Sequence, residues 1–413
     1  MKNKNFLIIV IGQIISLFGN AIQRFSMSLY LLEFTGSTAA FANILAISTI
    51  PYVIFAPIAG KIADSVNRKR IMIYLDLFAS VVVGIYAITL FNNRDSEFII
   101  GIVMFLLSIC YTLYSPAVTS AIPQVVTEDK LTSANGIINQ VGSIVNFAGP
   151  IVAGIIYGLI GIRFIVVLNA ISFLLSACME LFLHIPDVNT ENDERIISLD
   201  FIKNSFLDMK RSYVYLKTEK QTIMWVIVSY ACCNIFLVPI LSIVAPYFIN
   251  VLLELPSQIY GIVESICVLG MILGGLWISL KPNKFSMNKV HKTYYPMIAG
   301  SIIIAIIGII NIDNYSKAFI FAIGGMAIML SLALSNVLTL TFIQKEVDYN
   351  RLGRIMAFSN AIATISVAPG QLLFGQIIEV GVPLEVIFLI SVLMNIMLML
   401  FIKINISNSL IKD

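Results

Sequence analysis

Long apolar runs alternate with short polar segments along the whole chain. A helix needs ~20 apolar residues to cross the ~30 Å hydrocarbon core of a bilayer, and runs of about this length recur throughout the sequence. Only turn-forming residues separate neighbouring runs at residues 158–163 and 381–383. The pattern predicts twelve transmembrane helices, at residues 6–32, 39–59, 71–91, 98–122, 134–159, 164–185, 221–247, 258–280, 293–310, 318–341, 354–378 and 384–405.

Basic residues mark one side of the predicted membrane. With a cytoplasmic N-terminus, the outer loops contain only Arg94, Arg163 and Lys317 of the 26 Lys and Arg residues, and Arg24 lies within the first span. Cytoplasmic loops carry an excess of Lys and Arg, and one missed helix would move every later loop to the other side. We therefore expect a multi-pass protein of the cell membrane with an even number of spans and both termini in the cytoplasm.

The longest polar segment, residues 186–220, lies near the middle of the chain. It divides the spans into an N-terminal bundle at residues 1–185 and a C-terminal bundle at residues 221–413. Apolar residues recur within it at near-helical spacing, beside Lys203, Lys210 and Arg211, which is typical of an amphipathic helix on the membrane surface. A solvated linker helix that only joins the two halves is the alternative.

A short pattern precedes both the fifth and the eleventh predicted span, with identical offsets, and a Gly/Pro pair follows each copy. Parallel repeats of this kind build one major transporter architecture. The pattern therefore favours two halves that descend from one repeat. The matching residues are Val126, Lys130, Leu131 and Asn139 in the first half and Val347, Arg351, Leu352 and Asn360 in the second.

Composition narrows the class of protein further. Hydrophobic residues make up 59% of the 413 residues and charged residues 12%, against roughly 45–50% and 25% in soluble domains. The net charge of +3, spread over separate clusters, argues against a nucleic-acid partner. The sequence contains no phosphate-binding loop, nucleophile motif or metal-spaced His and Cys cluster. We expect neither an enzyme nor a cofactor or metal, and the five cysteines are predicted to be buried small residues.

The loop after the second predicted span carries the most specific motif, GKIADSVNRKR at residues 60–70. It resembles the loop 2-3 signature of the major facilitator superfamily, GxLaDrxGRKxx, with Asn67 where a glycine is usual. The resemblance implies an all-α membrane protein of twelve transmembrane helices in two pseudo-symmetric six-helix bundles. It also implies a gate at the cytoplasmic side, formed by Gly60, Asp64, Arg68, Lys69 and Arg70.

The fifth predicted span contains Gly149, Pro150 and Gly154. These residues resemble the gxxxGPxxGG motif of exporter-type major facilitator proteins, in which small residues and a proline shape the helix. Further similarity in the N-terminal half is to the drug:proton antiporter branch with macrolide-efflux proteins and enterobactin-type siderophore exporters. Those families commonly carry an arginine in the fourth helix that is implicated in proton coupling. Leu107 stands at that position.

Few ionisable residues lie at membrane depth, and such residues are functional candidates because a charge in hydrocarbon is costly. We predict that Glu264 is the main proton-titrating carboxylate and that Arg24 lies in the outer part of the cavity, paired with it. Asp76, near the cytoplasmic side of the third span, is a third candidate, through the gate network. Structural pairing within the helix bundle is the alternative for each residue. Glu180 and Glu33 lie near helix ends and are predicted to need no functional explanation.

The resemblance predicts a central substrate cavity lined by the first, fourth, seventh and tenth spans. Aromatic and amide side chains with little charge predominate there, which favours a bulky amphiphile. The expected function is export of a hydrophobic or amphiphilic small molecule by proton antiport, by a monomer in the lipid bilayer. The alternatives are uptake or uniport of a nutrient and a non-transporting receptor. The cavity candidates are Gln13, Asn20, Phe25, Tyr111, Tyr114, Trp225, Tyr230, Asn234, Phe236 and Asn336.

Overall fold

The regular secondary structure is helical throughout the part of the chain that the computed structural model describes, residues 4–127, 131–185, 199–347 and 349–412. Each apolar run forms a helix because, within a bilayer, a segment must bond its backbone N–H and C=O groups internally. The N-terminal half contains α1 Lys4–Thr35, α2 Thr38–Ser65, α3 Arg68–Phe91, α4 Glu97–Val125 and α5 Leu131–Glu180.

The C-terminal half begins with the amphipathic helix α6, Leu199–Thr218. It includes short 3₁₀ and π segments, among them Ile240–Val244 and Tyr247–Leu252, which extend α7. These segments supplement the α-helices. The helices are α6 Leu199–Thr218, α7 Gln221–Phe236, α8 Ser257–Leu280, α9 Tyr295–Ile306, α10 Asn314–Glu346, α11 Tyr349–Ile365, α12 Val367–Glu379, α13 Leu384–Ile402 and α14 Ser409–Lys412.

All twelve predicted spans correspond to helical segments. Among the described residues, nine helices are long and apolar enough to cross a membrane, and Thr38–Tyr52 is a shorter apolar helix. The predicted ninth span, residues 293–310, contains the short helix α9. Gly161, with φ 70°, divides the continuous α5 into the predicted fifth and sixth spans, and Gly381, with φ 84°, lies in the turn before α13. Glycine occupies both positions because its missing Cβ permits a positive φ.

The chain divides into two compact units. The first unit consists of residues 1–35 and 47–205, and the second of residues 36–46 and 206–413. In the first, α5 packs along α1 and α3, and α4 packs on α3. In the second, α10 packs against α8 and α9, and α13 packs against α9.

Helix α6 lies within the central polar segment, where an amphipathic helix is predicted, and its location on the membrane surface stays a prediction. Tyr215 and Leu216 are buried, and the Arg351 guanidinium lies 4.6 Å from the centre of the Tyr215 ring. Arg351 Nη1 also lies 3.8 Å from Glu219 Oε2. The C-terminal part of α6 is thus held on the second unit by both apolar and charged contacts. Residues 186–198 of the segment lie outside the described residues.

Candidate functional site

Asp76 lies inside the first unit, on α3, with only 3% of its surface exposed. Its carboxylate borders a small polar cavity of about 10 Å³, which is about the space that one water molecule needs. The first unit alone forms this cavity. Its lining consists of Ser16, Asn20, Leu75, Asp76, Ala79, Leu107, Cys110, Tyr111, Tyr114 and Phe173.

A second carboxylate, Glu180 at the end of α5, is completely buried beside this cavity. The Tyr114 hydroxyl donates a hydrogen bond of 2.7 Å to Glu180 Oε1. The charge of Asp76 acts on both Tyr114 and Glu180, and Ser176 lies beside Asp76 and Tyr114. Helices α3, α4 and α5 therefore bring two carboxylates and two hydroxyl groups into one cluster, which we call the carboxylate cluster.

No ion pair with a described residue compensates the charge of the carboxylate cluster. Neither Asp76 nor Glu180 forms an ion pair with a described residue, and the Asp76 Oδ2 and Glu180 Oε2 atoms have no hydrogen-bond partner there. Leu107, at the position where related families carry an arginine, lines the same cavity. Two adjacent buried negative charges without a counter-ion are strongly unfavourable. The cluster is therefore suited to bind and release protons.

An apolar layer lies next to the cluster. Tyr114 belongs to a buried group that extends toward the ends of α4 and α5 and the start of α1 and α3. Such packing excludes water from that side of the carboxylates, so proton exchange depends on an opening elsewhere. The members of the layer are Phe6, Ile9, Ile71, Met72, Tyr114, Ala117, Val118, Ala121, Ile122, Val125, Val126, Ala134, Leu183 and Ile185.

The loop motif begins α3. Asn67 is the N-cap of the helix, and its Oδ1 accepts hydrogen bonds from the backbone N–H groups of Lys69 and Arg70 at 2.9 and 3.4 Å. This explains how asparagine can replace the usual glycine, because an N-cap side chain satisfies free amides of the first turn. Lys69 Nζ donates to the Leu181 carbonyl at 2.7 Å, next to the end of α5.

The structure describes the side chains of two of the other four predicted gate residues. The Arg68 side chain is half-buried and Arg70 is exposed. The predicted gate positions Gly60 and Asp64 belong to α2, but their side chains lie outside the described residues. The gate function of these five residues stays a prediction.

The motif of the fifth span lies at a close helix contact. A Cβ placed on Gly149 would lie 3.0 Å from Ala21 Cβ of α1, so glycine permits the two helices to approach. Gly149, Pro150 and Gly154 are all buried, and α5 continues through Pro150 to its break at Gly161.

The cavity candidates of the first unit fall into two groups. Asn20, Tyr111 and Tyr114 line the polar cavity with Asp76, so the structure brings together residues from three predicted spans. Gln13 and Phe25 are buried on α1 but are not part of that lining.

The cavity candidates of the second unit lie mostly on α7. The Tyr230 hydroxyl is hydrogen-bonded to Thr339 Oγ1 of α10, and Asn234 Nδ2 donates to the Ala363 carbonyl of α11 at 2.7 Å. Trp225 packs edge-to-face on Phe401, with 5.6 Å between ring centres. Phe236 is half-buried and Asn336 is exposed. Their role in substrate binding stays a prediction.

The predicted Glu264–Arg24 pair joins two separately described units. Arg24 is exposed on α1 of the first unit, and Glu264 is half-buried on α8 of the second. Glu264 acts electrostatically on Cys267, one helical turn further along α8. The pairing stays a prediction.

Glu180 is one of two acidic residues whose position near a helix end predicts no functional role, and its complete burial does not fit an ordinary helix end. One sequence signal could have identified it, because Glu180 lies within the predicted span 164–185 and no Lys or Arg follows within a helical turn. Its contact with Tyr114 connects α4 with α5 and could not be read from the sequence.

The chain is thus a helical protein with several candidate membrane spans and a buried polar cavity among the helices of its first unit. The Major Facilitator Superfamily model matches residues 9–371, and the chain belongs to this family. It is a multi-pass membrane transporter and not an enzyme.

The curated relatives have low sequence identity to this chain but align with most of its length. Macrolide efflux protein A of Streptococcus pyogenes is 24% identical over 362 residues, which cover 88% of this chain and 86% of that protein. Macrolide efflux protein A of Enterococcus faecalis is 23% identical over 321 residues, with 78% and 95% covered. An uncharacterized MFS-type transporter of Bacillus subtilis, YvqJ, is 22% identical over 404 residues, with 95% and 92% covered.

Solved structures agree on the fold. The nucleoside transporter NupG aligns with a TM-score of 0.72 at 14% identity, covering 98% of this chain and 99% of that one. A bacterial homolog of the human lysosomal transporter Spinster, in an inward-facing and unoccupied conformation, aligns with a TM-score of 0.73 at 13% identity, covering 100% and 98%. At these identities the likeness concerns the fold alone.

Proposed function

We propose that this transporter exports a hydrophobic or amphiphilic small molecule of the macrolide-like class in exchange for protons. It acts as a monomer in the cell membrane, with both termini in the cytoplasm. Proton entry reloads the carboxylate cluster, and substrate leaves by alternating access of the two halves. The observation that supports this coupling is the pair of buried carboxylates, Asp76 and Glu180, neither of which forms an ion pair with a described residue.

Two arguments support export of this class of compound. Two of the relatives with extensive coverage are macrolide efflux proteins, and the fifth-span motif resembles that of exporters. The cavity next to Asp76 also combines aromatic and amide side chains, Tyr111, Tyr114 and Asn20, which suit a bulky compound with few charges. At about 10 Å³ this cavity holds no such compound, so the described conformation requires an opening movement before substrate binds.

Coupling through Asp76 and Glu180 follows from electrostatics. A proton on the cluster removes a negative charge that the apolar surroundings cannot solvate, and a more open state can release that proton to water. Because position 107 is a leucine, no arginine side chain at that position competes with a proton for the carboxylates. Proton binding is then left to Asp76 and Glu180. Glu264 with Arg24 is a second candidate carrier, and the same assay tests it.

Transport into everted membrane vesicles tests the proposal. Vesicles whose lumen is acidic and positive, so that protons are driven outward, should accumulate one or more members of a panel of macrolides, dyes and siderophores, and a protonophore should abolish the accumulation. Vesicles that lack the transporter are the control. Accumulation that resists the protonophore would contradict antiport, and absence of any transporter-dependent flux in the panel would contradict the proposed substrate class.

A further inference from the structure

A second feature of the first unit lies on its outer surface, away from the carboxylate cluster. Helix α3 and the part of α5 after Gly161 enclose an apolar groove of about 380 Å³. Both helices are membrane spans, and the side chains of Ile88, Phe91 and Ile171 are exposed at the groove. The groove is lined by Gly84, Ala87, Ile88, Phe91, Asn92, Val167, Ala170 and Ile171.

The groove owes its space to small residues. A Cβ placed on Gly84 would meet no atom within 4 Å, and Ala87 and Ala170 add only methyl groups to the walls. From Gly84 to Asn92 the helix rises about 12 Å at ~1.5 Å per residue, which is long enough to hold a large part of an acyl chain. In a bilayer, an open apolar groove of this shape is filled by hydrocarbon rather than by water.

One end of the groove is polar and positively charged. Asn92 lines it, and the neighbouring Asn93, which has a positive φ of 51°, accepts a hydrogen bond from the Arg163 guanidinium at its Oδ1 atom. The amide orients Arg163 without neutralising it, and Arg163 forms no ion pair with a residue that the structure describes. Of the acidic residues nearby, Asp95 accepts a hydrogen bond from Tyr30, and Glu97 lies in the first turn of α4, where the helix dipole stabilises a negative charge.

We propose that this groove is a binding site for one phospholipid, with an acyl chain in the groove and the phosphate on Arg163. A guanidinium held by a neutral amide at the polar end of a hydrocarbon groove matches an anionic phosphodiester joined to an acyl chain. On the predicted orientation this end faces the outside of the cell. The site is independent of the transported compound and of the carboxylate cluster.

Native mass spectrometry of the purified full-length protein in detergent tests the site. The probes are a phosphatidylglycerol and a diacylglycerol with the same acyl chains. We expect the wild type to retain one phosphatidylglycerol at concentrations where diacylglycerol does not bind. Arg163→Gln should weaken phosphatidylglycerol binding about tenfold, the effect of losing one well-placed charge-assisted contact. Lys317→Gln, which removes a basic residue of the second unit, should leave binding unchanged.

A second pair of variants tests the apolar part. Gly84→Leu enters open space and fills the groove, so it should reduce phosphatidylglycerol binding without loss of thermal stability. Gly142→Leu is the matched control, since a Cβ there also meets nothing within 4 Å and Gly142 does not line the groove. Equal binding of the two lipids, or unchanged binding in both Arg163→Gln and Gly84→Leu, would overturn the proposal.

Discussion

The two units differ in what they bury. Asp76 and Glu180 are the buried acidic residues among the described part of the chain, and both belong to the first unit. The buried polar residues described in the second unit are neutral, such as Ser229, Thr339 and Asn395. Since an unpaired charge in an apolar interior is costly, the first unit carries a feature that packing alone does not explain.

The two units also differ in how closely their helix backbones approach each other. In the second unit, α8 and α10 approach so closely that a Cβ on Gly270 would lie 2.0 Å from the Met326 carbonyl oxygen, and one on Gly274 would lie 2.6 Å from that of Leu330. In the first unit, a Cβ on Gly19 would meet the side chains of Asn169 and Ser172. Backbone atoms of a helix cannot move aside as readily as the end of a flexible side chain. The contact of α8 with α10 therefore has less room to adjust than the contact at Gly19, and the buried carboxylates lie in the other unit.

The largest expected effect concerns this rigid packing. Gly270→Ala should destabilise the protein by about 3 kcal/mol, at the upper end of the usual cost of overpacking, because the added methyl group meets backbone. Gly275→Ala, on the same helix, is the control, since a Cβ there meets nothing within 4 Å. Thermal unfolding in detergent measures both. Similar melting temperatures for the two variants would remove the contrast in rigidity between the units.

Neutral replacement of the carboxylates tests where coupling resides. Asp76→Asn and Glu180→Gln should each reduce proton-driven transport at least about tenfold, the equivalent of ~1.4 kcal/mol. Thermal stability should hold, because a neutral side chain avoids the cost of a buried charge. Vesicle transport with and without a protonophore is the measurement. Glu264→Gln is the comparison in the second unit, and a larger loss there would transfer the coupling role to that unit.

A substitution at position 107 can place a cation beside the carboxylate cluster. Leu107→Arg should reduce proton-driven transport several-fold, because a permanent positive charge beside Asp76 compensates the negative charge that a proton otherwise neutralises. Leu107→Met, a neutral change of similar volume, should transport nearly normally. Initial rates of vesicle uptake distinguish the two variants. Unimpaired transport by Leu107→Arg would show that a free proton site at this cavity is unnecessary.

Removal of the Tyr114 hydroxyl is a smaller change to the carboxylate cluster. Tyr114→Phe removes the donor to Glu180 Oε1 and should cost ~1–3 kcal/mol, the usual penalty for a buried acceptor left without its partner. Tyr230→Phe is the matching change in the second unit, where Thr339 can still donate to the Ser335 carbonyl. We expect the smaller loss there. Chemical or thermal unfolding of both variants provides the comparison.

The smallest expected effect is at an exposed helix cap of the second unit. Asp313 begins α10 and accepts hydrogen bonds from the Ser316 hydroxyl and N–H at 2.7 and 2.9 Å, and these bonds lower the pKa of its carboxyl. A lowered pKa stabilises the folded state above the ordinary value, and this contribution is lost as the pH falls through the lowered pKa. Asp313→Ala should slightly lower the melting temperature at neutral pH.

Two observations check this last prediction. The difference between wild type and Asp313→Ala should close in acid, and Asp313→Asn, which retains a capping side chain, should lie nearer the wild type at neutral pH. A difference that persists unchanged in acid would mean that the carboxylate charge contributes nothing.

The class of fold could be predicted from the sequence. The length and apolarity of a run decide whether a helix crosses a bilayer, and both are local properties of the chain, so all twelve spans could be predicted. Turn residues likewise located the break at Gly161 and the turn at Gly381, because a positive φ favours glycine wherever it occurs. The loop at residues 60–70 was sufficient to indicate the superfamily.

The contacts between polar residues could not be predicted from the sequence. The sequence pattern makes Asp76 one of three ionisable candidates and places Glu180 near a helix end. Packing of α3, α4 and α5 makes them neighbours and joins Glu180 to Tyr114. The groove beside Arg163 likewise exists only because α3 lies along α5. Burial and charge compensation depend on residues that are distant in the chain, and a pattern along one sequence does not report which helix faces touch.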